Sequence, residues 1–241
     1  LFLVPFVGVE VKGSKRWIDL FFLPRFQPIE VLKPFLIIIL ATIFCDIRSN
    51  ILFKYLISII LISVISLLLI AQPDIGQTLL VVFCWAALIF TSGINIYILL
   101  AIFIAGASLF AYLIIFVPKF YYIQGRIFSF FNRETGTHNF QSDKAIESIT
   151  SGGFFGKGIG EGVLKNRVPE AHTDYIISVI SEEFGVVAIM LILLLFLILI
   201  YMVFKKISFE TNDKIKLILI GSISLILMQA TIHIGVNIRL F

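Results

Sequence analysis

Six runs of almost uninterrupted apolar side chains recur along this sequence, at Pro28–Cys45, Ile51–Ala71, Thr78–Ile94, Tyr97–Val117, Ile176–Phe204 and Ile215–Val236. Each is close to the roughly 20 residues that a helix needs to cross a hydrocarbon layer. Lipid offers no water to backbone N–H and C=O groups, so a spanning segment must pair them internally as a helix or join a closed barrel. No alternating, strand-like pattern stands out in the chain. The expected fold is therefore all-α: a polytopic transmembrane bundle of six spans plus a partial N-terminal span ending near Val9, forming one domain over residues 1–241. Composition agrees, since 59% of residues are hydrophobic and 14% charged, against about 45–50% and about 25% in soluble domains. Cys45 and Cys84 fall in or beside apolar runs without CxxC spacing, which suits small core residues better than disulfide or metal chemistry. The chain opens on Leu1 inside an apolar stretch and ends just after a span, so no signal peptide is read and a longer protein is expected.

Alternating spans place residues 10–27, 72–76 and 118–175 on one side of the membrane. Residues 10–27 surround Trp17 with Lys12, Lys15, Arg16, Asp19 and Arg25, a composition suited to a loop at headgroup depth. Of the chain's 19 Lys and Arg residues, only Arg48, Lys54, Lys205, Lys206, Lys214 and Lys216 fall on the other side. A simple positive-inside count would turn the richer side toward the cytoplasm. That rule weighs short loops and gives long translocated ones little weight, and many of these cations lie in the long 118–175 loop. An anionic ligand is an alternative reason for them.

The longest polar interruption runs from Ser151 to Gly185. It carries Gly153, Gly156, Gly158, Gly160 and Gly162, then Lys165 and Arg167 after Lys157, then Glu170, His172 and Asp174 at the mouth of the next span. The glycines do not form GxGxxG and follow no strand, so a dinucleotide site is unsupported; they read as a diphosphate-binding nest of backbone N–H groups or as a flexible turn. Asp174 either caps the helix that follows or acts as a general base. His172 titrates nearest neutral pH and could serve as base, ligand or neither. Glu182 and Glu183 lie one helical turn further on, where a lipid-facing charge costs about 2.5–3.5 kcal/mol even on a lenient scale, so at least one should face a polar interior. The same argument singles out Glu30, Lys33 and Asp74, with a mutual Glu30–Lys33 pair as the plainer reading. Arg16 and Arg126 can reach phosphates bidentately or snorkel to lipid headgroups. The aromatic, basic stretch FYYIQGRIFSFF suits an interfacial helix, and Pro34 should kink the first span.

SGGFFGKGIGEG, PEAHTDY (169–175) and SEEFG (181–185), with GSKRWIDL (13–20), QPIEVLK (27–33) and QPDIG (72–76) in the same order, resemble the shape, elongation, division and sporulation (SEDS) family. Alanine at 171 is closer to its division members than to its elongation members. The resemblance implies a membrane glycosyltransferase that polymerises lipid II, the undecaprenyl-diphosphate-linked disaccharide peptide, with Asp174 as base. It implies substrate contacts at Arg16, Glu30, Lys33, Asp74, Arg126, Lys157, Lys165, Arg167 and His172. It implies no organic cofactor, leaves a divalent cation open and calls for no nucleic acid. The partners implied are membrane lipids, a class B penicillin-binding transpeptidase and other division proteins, with the motif loops facing the periplasm at the septum. His233 where Asn is common, Lys144 after Gln141-Ser142, and the missing final PFISYGG-type segment depart from the pattern. A flippase for the lipid-linked precursor and a non-catalytic scaffold are the alternative readings. Clean apolar spans with charge at one face speak against transport, because transporters place ionisable groups at broken helices near the midplane.

Overall fold

A computed structural model describes residues 1–11, 14–20, 23–46, 50–117, 125, 140–162 and 175–238. Among these, a one-turn helix α1 (Val4–Val7) precedes strands β1 (Val9–Val11), β2 (Ser14–Leu20) and β3 (Leu23–Phe26). Helices α2 (Pro28–Cys45), α3 (Ile51–Ala71), α4 (Ile75–Thr91), α5 (Ile96–Phe116), α6 (Phe140–Gly152), α7 (Ile176–Phe209) and α8 (Asp213–Asn237) follow. Five of them, α2, α3, α5, α7 and α8, are long and apolar enough to cross a membrane, and α4 is a shorter apolar helix. The all-α, multi-pass expectation holds.

One expectation is corrected: where no strand pattern stands out in the sequence, Val9–Val11, Ser14–Leu20 and Leu23–Phe26 form a three-stranded antiparallel sheet in the order β1-β2-β3, with Val9 opposite Trp17 and Ile18 opposite Phe26. Charged residues interleaved with isolated apolar ones mask the period-two pattern, and short-range antiparallel pairing supplies the missing stability.

The described chain divides into two compact units, one of Leu1–Leu99 with Tyr201–Gln229 and one of Leu100–Ile200 with Ala230–Phe241. In the first, α2 starts at Pro28, whose missing N–H costs nothing in a first turn, and continues through Pro34. Its buried face is Ile29, Lys33, Leu36, Ile37, Leu40, Ala41 and Phe44, while Val31, Phe35, Ile38 and Ile39 are exposed. A helix that is apolar on every face suits lipid outside and packed helices inside. The α3 side buries Ser58, Ile62, Ile65 and Leu69. Across from it the Trp85 indole N–H donates to Ser58 Oγ at 3.2 Å, so this buried polar pair satisfies itself. Gly221 of α8 comes so near α2 that an added Cβ would sit 2.7 Å from Ile37 Cγ2, the small-residue contact by which membrane helices approach closely.

In the second unit, Ala145 of α6 is buried with Tyr175, against Val179 and Val236. Asn237 closes this contact, its side-chain oxygen accepting from Ser178 N–H at 3.1 Å and its amide donating to the His233 carbonyl at 2.8 Å. The expected fifth span is not one unbroken helix. Gly185 has φ 74° and ψ −172° in the middle of α7, a region almost reserved for glycine.

Candidate active site

Three sequence blocks far apart in the chain meet in the first unit. Asp74 caps α4, accepting from Gln77 N–H at 3.4 Å. Its other oxygen accepts from the Gln27 amide at 2.7 Å. The Arg16 guanidinium on β2 lies 3.8 Å from Asp74 and also donates to the carbonyls of Gln72, at 3.1 Å, and Pro73. Arg16 therefore ties the sheet to the α3–α4 turn. Burial pushes the Asp74 carboxyl above the usual aspartate range, opposed by the Arg16 charge and the hydrogen bonds from Gln77 and Gln27.

Gln77 extends the chain of contacts. Its amide donates to Glu30 Oε1 at 2.8 Å, and Glu30 Oε2 lies 2.6 Å from Lys33 Nζ. Lys33 is 2% exposed whereas Glu30 is 41% exposed, so the ammonium is enclosed and the carboxylate lies at the surface. Lys33 also donates to Gln229 Oε1 of α8 at 3.3 Å. Arg16, Asp74, Gln77, Glu30, Lys33 and Gln229 thus form one connected polar path on three helices and a strand. The Glu30–Lys33 pair is real, and it is one part of this path. Gln27, Gln77 and Gln229 were not singled out in the sequence; an amide within an otherwise apolar run, as at Gln229, is the signal that marks them.

The second unit resolves the glycine run. In an unbroken helix the carbonyls of Glu182 and Glu183 would accept from Val186 and Val187. Here they accept from Lys157 N–H at 2.9 Å and Gly158 N–H at 3.1 Å instead. In exchange, Val186 N–H donates to the Gly153 carbonyl at 3.0 Å and Val187 N–H to Phe154 at 3.3 Å. Gly160 N–H donates to the Glu183 carboxylate at 3.2 Å, and Gly156 N–H to the Gly152 carbonyl at 2.9 Å. The N–H groups of Gly156, Lys157, Gly158 and Gly160, donors that a diphosphate nest would use, are therefore committed within the protein, and the segment is not an idle turn. Glycine is required by space as well as angle: a Cβ at 156 would lie 2.1 Å from the Glu183 carbonyl oxygen, and one at 185 would lie 2.2 Å from that of Phe154.

Glu182 is fully buried beneath this segment. It accepts from Ser148 Oγ at 3.0 Å and lies 3.5 Å from Lys157 Nζ, so the expected polar interior exists and Lys157 points into it. A broken helix bearing a buried carboxylate also removes the argument against transport that rested on clean spans. Arg126, Lys165, Arg167, His172 and Asp174 lie outside the described residues, as does nearly all of FYYIQGRIFSFF. Among the described residues no group of three His, Cys, Asp or Glu side chains is placed to hold a metal ion.

A multi-pass helical membrane protein with charged groups gathered on buried paths at helix mouths is the class that fold and geometry define. All 241 residues match the cell cycle protein family that takes in FtsW, RodA and SpoVE, and the chain belongs to this SEDS family. It is 31% identical over 241 residues to the probable peptidoglycan glycosyltransferase FtsW of Enterococcus hirae, covering 95% of this chain and 60% of that one. A chain from a peptidoglycan synthase complex, in which polymerization and crosslinking are coordinated, superimposes with a TM-score of 0.76 at 25% identity, covering 98% of this chain and 66% of its own length. The Thermus thermophilus rod shape determining protein RodA gives a TM-score of 0.64 at 25% identity, covering 98% and 61%. The chain thus spans about three fifths of the length of the Enterococcus hirae relative.

Proposed function

We propose that the whole protein is a division-type peptidoglycan glycosyltransferase acting on lipid II. The observation that carries this reading is the connected polar path from Arg16 to Gln229, which encloses Lys33 and exposes one face of Glu30, beside the family membership of the entire chain. The Glu30 carboxylate is exposed on this path, with the Lys33 ammonium enclosed behind it. In the proposed reaction a sugar hydroxyl of one lipid-linked chain attacks the anomeric carbon of another. The C–O bond to the diphosphate breaks and undecaprenyl diphosphate leaves with the electron pair. The hydroxyl proton passes to the Asp174 carboxylate, and the α-linked donor becomes a β-linked product by single displacement. Arg16, Glu30, Lys33, Asp74, Arg126, Lys157, Lys165, Arg167 and His172 are proposed to hold or orient the substrate. A class B penicillin-binding transpeptidase is the proposed partner, and the septal, periplasm-facing placement of the motif loops belongs to the same reading.

A second reading, transport of the lipid-linked precursor, is favoured by one observation, the break at Gly185 above buried Glu182. Asp174→Asn in the full-length protein separates the two. Asparagine still caps a helix but cannot take up the proton, so glycan synthesis from lipid II by purified protein with its partner should fall by about 10²–10⁴-fold. Precursor translocation in vesicles should be unchanged. Normal polymerisation by the variant, or loss of translocation from a protein whose wild type makes no glycan, would overturn the glycosyltransferase reading.

A further inference from the structure

We propose that the loop Gly153–Glu161 is set into the lipid bilayer, with Phe154, Phe155 and Ile159 among the acyl chains at the membrane boundary. These three are 75%, 86% and 80% exposed, an unusual outlay of apolar surface on a segment so rich in glycine and charge. Their position in the fold says what covers them. Phe154 is bonded through its carbonyl to Val187 N–H, and Gly153 to Val186 N–H, so the loop lies beside the first turn after the helix break. That turn opens the most apolar part of α7, where Val186, Val187, Met190 and Leu191 are exposed in a span whose window is 0% buried. The phenylalanines therefore continue a surface that faces lipid.

Two obstacles normally keep a loop out of a membrane, and both are lowered here. Irregular backbone is tolerated at that depth only when its polar groups are satisfied by protein; the N–H groups of Gly156, Lys157, Gly158 and Gly160 all donate to protein oxygens. A bare charge in lipid is costly; the Lys157 ammonium lies against buried Glu182, and its long stem lets it snorkel. Glu161, exposed at the end of the loop, marks the return to headgroup depth. The inference rests on this geometry and does not depend on the proposed enzymatic activity.

The test uses the full-length protein, purified without partners and placed in phosphatidylethanolamine–phosphatidylglycerol vesicles, with native cysteines replaced. A nitroxide is attached at Phe155→Cys, Ile159→Cys or, as an aqueous control, Thr211→Cys in the polar turn between α7 and α8. Power saturation compares collisions with oxygen, which concentrates in lipid, and with a water-soluble nickel chelate. The ratio of oxygen to nickel accessibility should be several-fold higher at 155 and 159 than at 211. A ratio at 155 equal to that at 211 places the loop in water and overturns the proposal. Exclusion of both reagents at 155 means a protein surface covers it, and this overturns the proposal as well.

Discussion

The exchange of hydrogen bonds between the glycine-rich loop and the broken α7 makes a strong demand on Gly185, and Gly185→Ala tests it. Alanine would have to hold φ 74° and ψ −172°, at about 1–3 kcal/mol. Its Cβ would also meet the Phe154 carbonyl oxygen at 2.2 Å and Gly156 N at 2.5 Å. Both are backbone atoms and cannot rotate away, so the loop must withdraw. Withdrawal forfeits the four exchanged bonds at about 0.5–1.5 kcal/mol net each. The combined loss, about 3–9 kcal/mol, rivals the roughly 5–15 kcal/mol that holds an ordinary domain folded. Two substitutions calibrate the result. Gly153→Ala has a positive φ of 58° but open space around the new Cβ, so it should cost only about 1–2 kcal/mol. Gly106→Ala lies in mid-helix with nothing within 4 Å and should stabilise by about 0.5–1 kcal/mol. Unfolding of the full-length protein in mild detergent gives the order, and hydrogen exchange reads the amides of Lys157 and Gly158 directly. If Gly185→Ala unfolds like Gly106→Ala with those amides still protected, the exchange does not hold the loop.

In the Glu30–Lys33 pair, Glu30→Leu strands an ammonium that is 2% exposed, whereas Lys33→Met removes the buried charge itself. Stranding a buried ion costs about 3–5 kcal/mol when no partner remains, and less here because Lys33 keeps its hydrogen bond to Gln229, so thermal unfolding should show Glu30→Leu as the more damaging change. Equal effects would mean that Lys33 finds other compensation. Asp74 carries a raised pKa caused chiefly by burial; its contribution to stability is full at pH values below the unfolded pKa and lost as pH rises through the folded value. Asp74→Asn should therefore gain relative to wild type as pH rises through the weakly acid range, and a thermal-shift difference that instead grows toward low pH would reverse the sign of the argument. For sidedness, a cysteine at Gly136 should react with an impermeant reagent from outside intact cells and one at Thr211 should not; the reverse pattern would restore the positive-inside orientation.

Much of this protein was legible in the sequence because the bilayer leaves so few options. Apolar runs of about 20 residues must become helices, and Pro28, Cys45, Ile51 and Ala71 mark the ends of α2 and α3 because Pro opens a helix and polar residues close each run. The expense of a charge in lipid likewise pointed to Glu30, Lys33 and Asp74. Tertiary structure decided what those residues do. Gln229 lies 196 positions from Lys33, and no local pattern announces that pairing. The sheet of β1, β2 and β3 depends on strand partners that a scan of hydropathy does not register. The glycine run was ambiguous because a glycine's freedom is visible in sequence while its use is not: only the approach of α7, with two carbonyls left open by the break at Gly185, turned a possible ligand cradle into part of the fold.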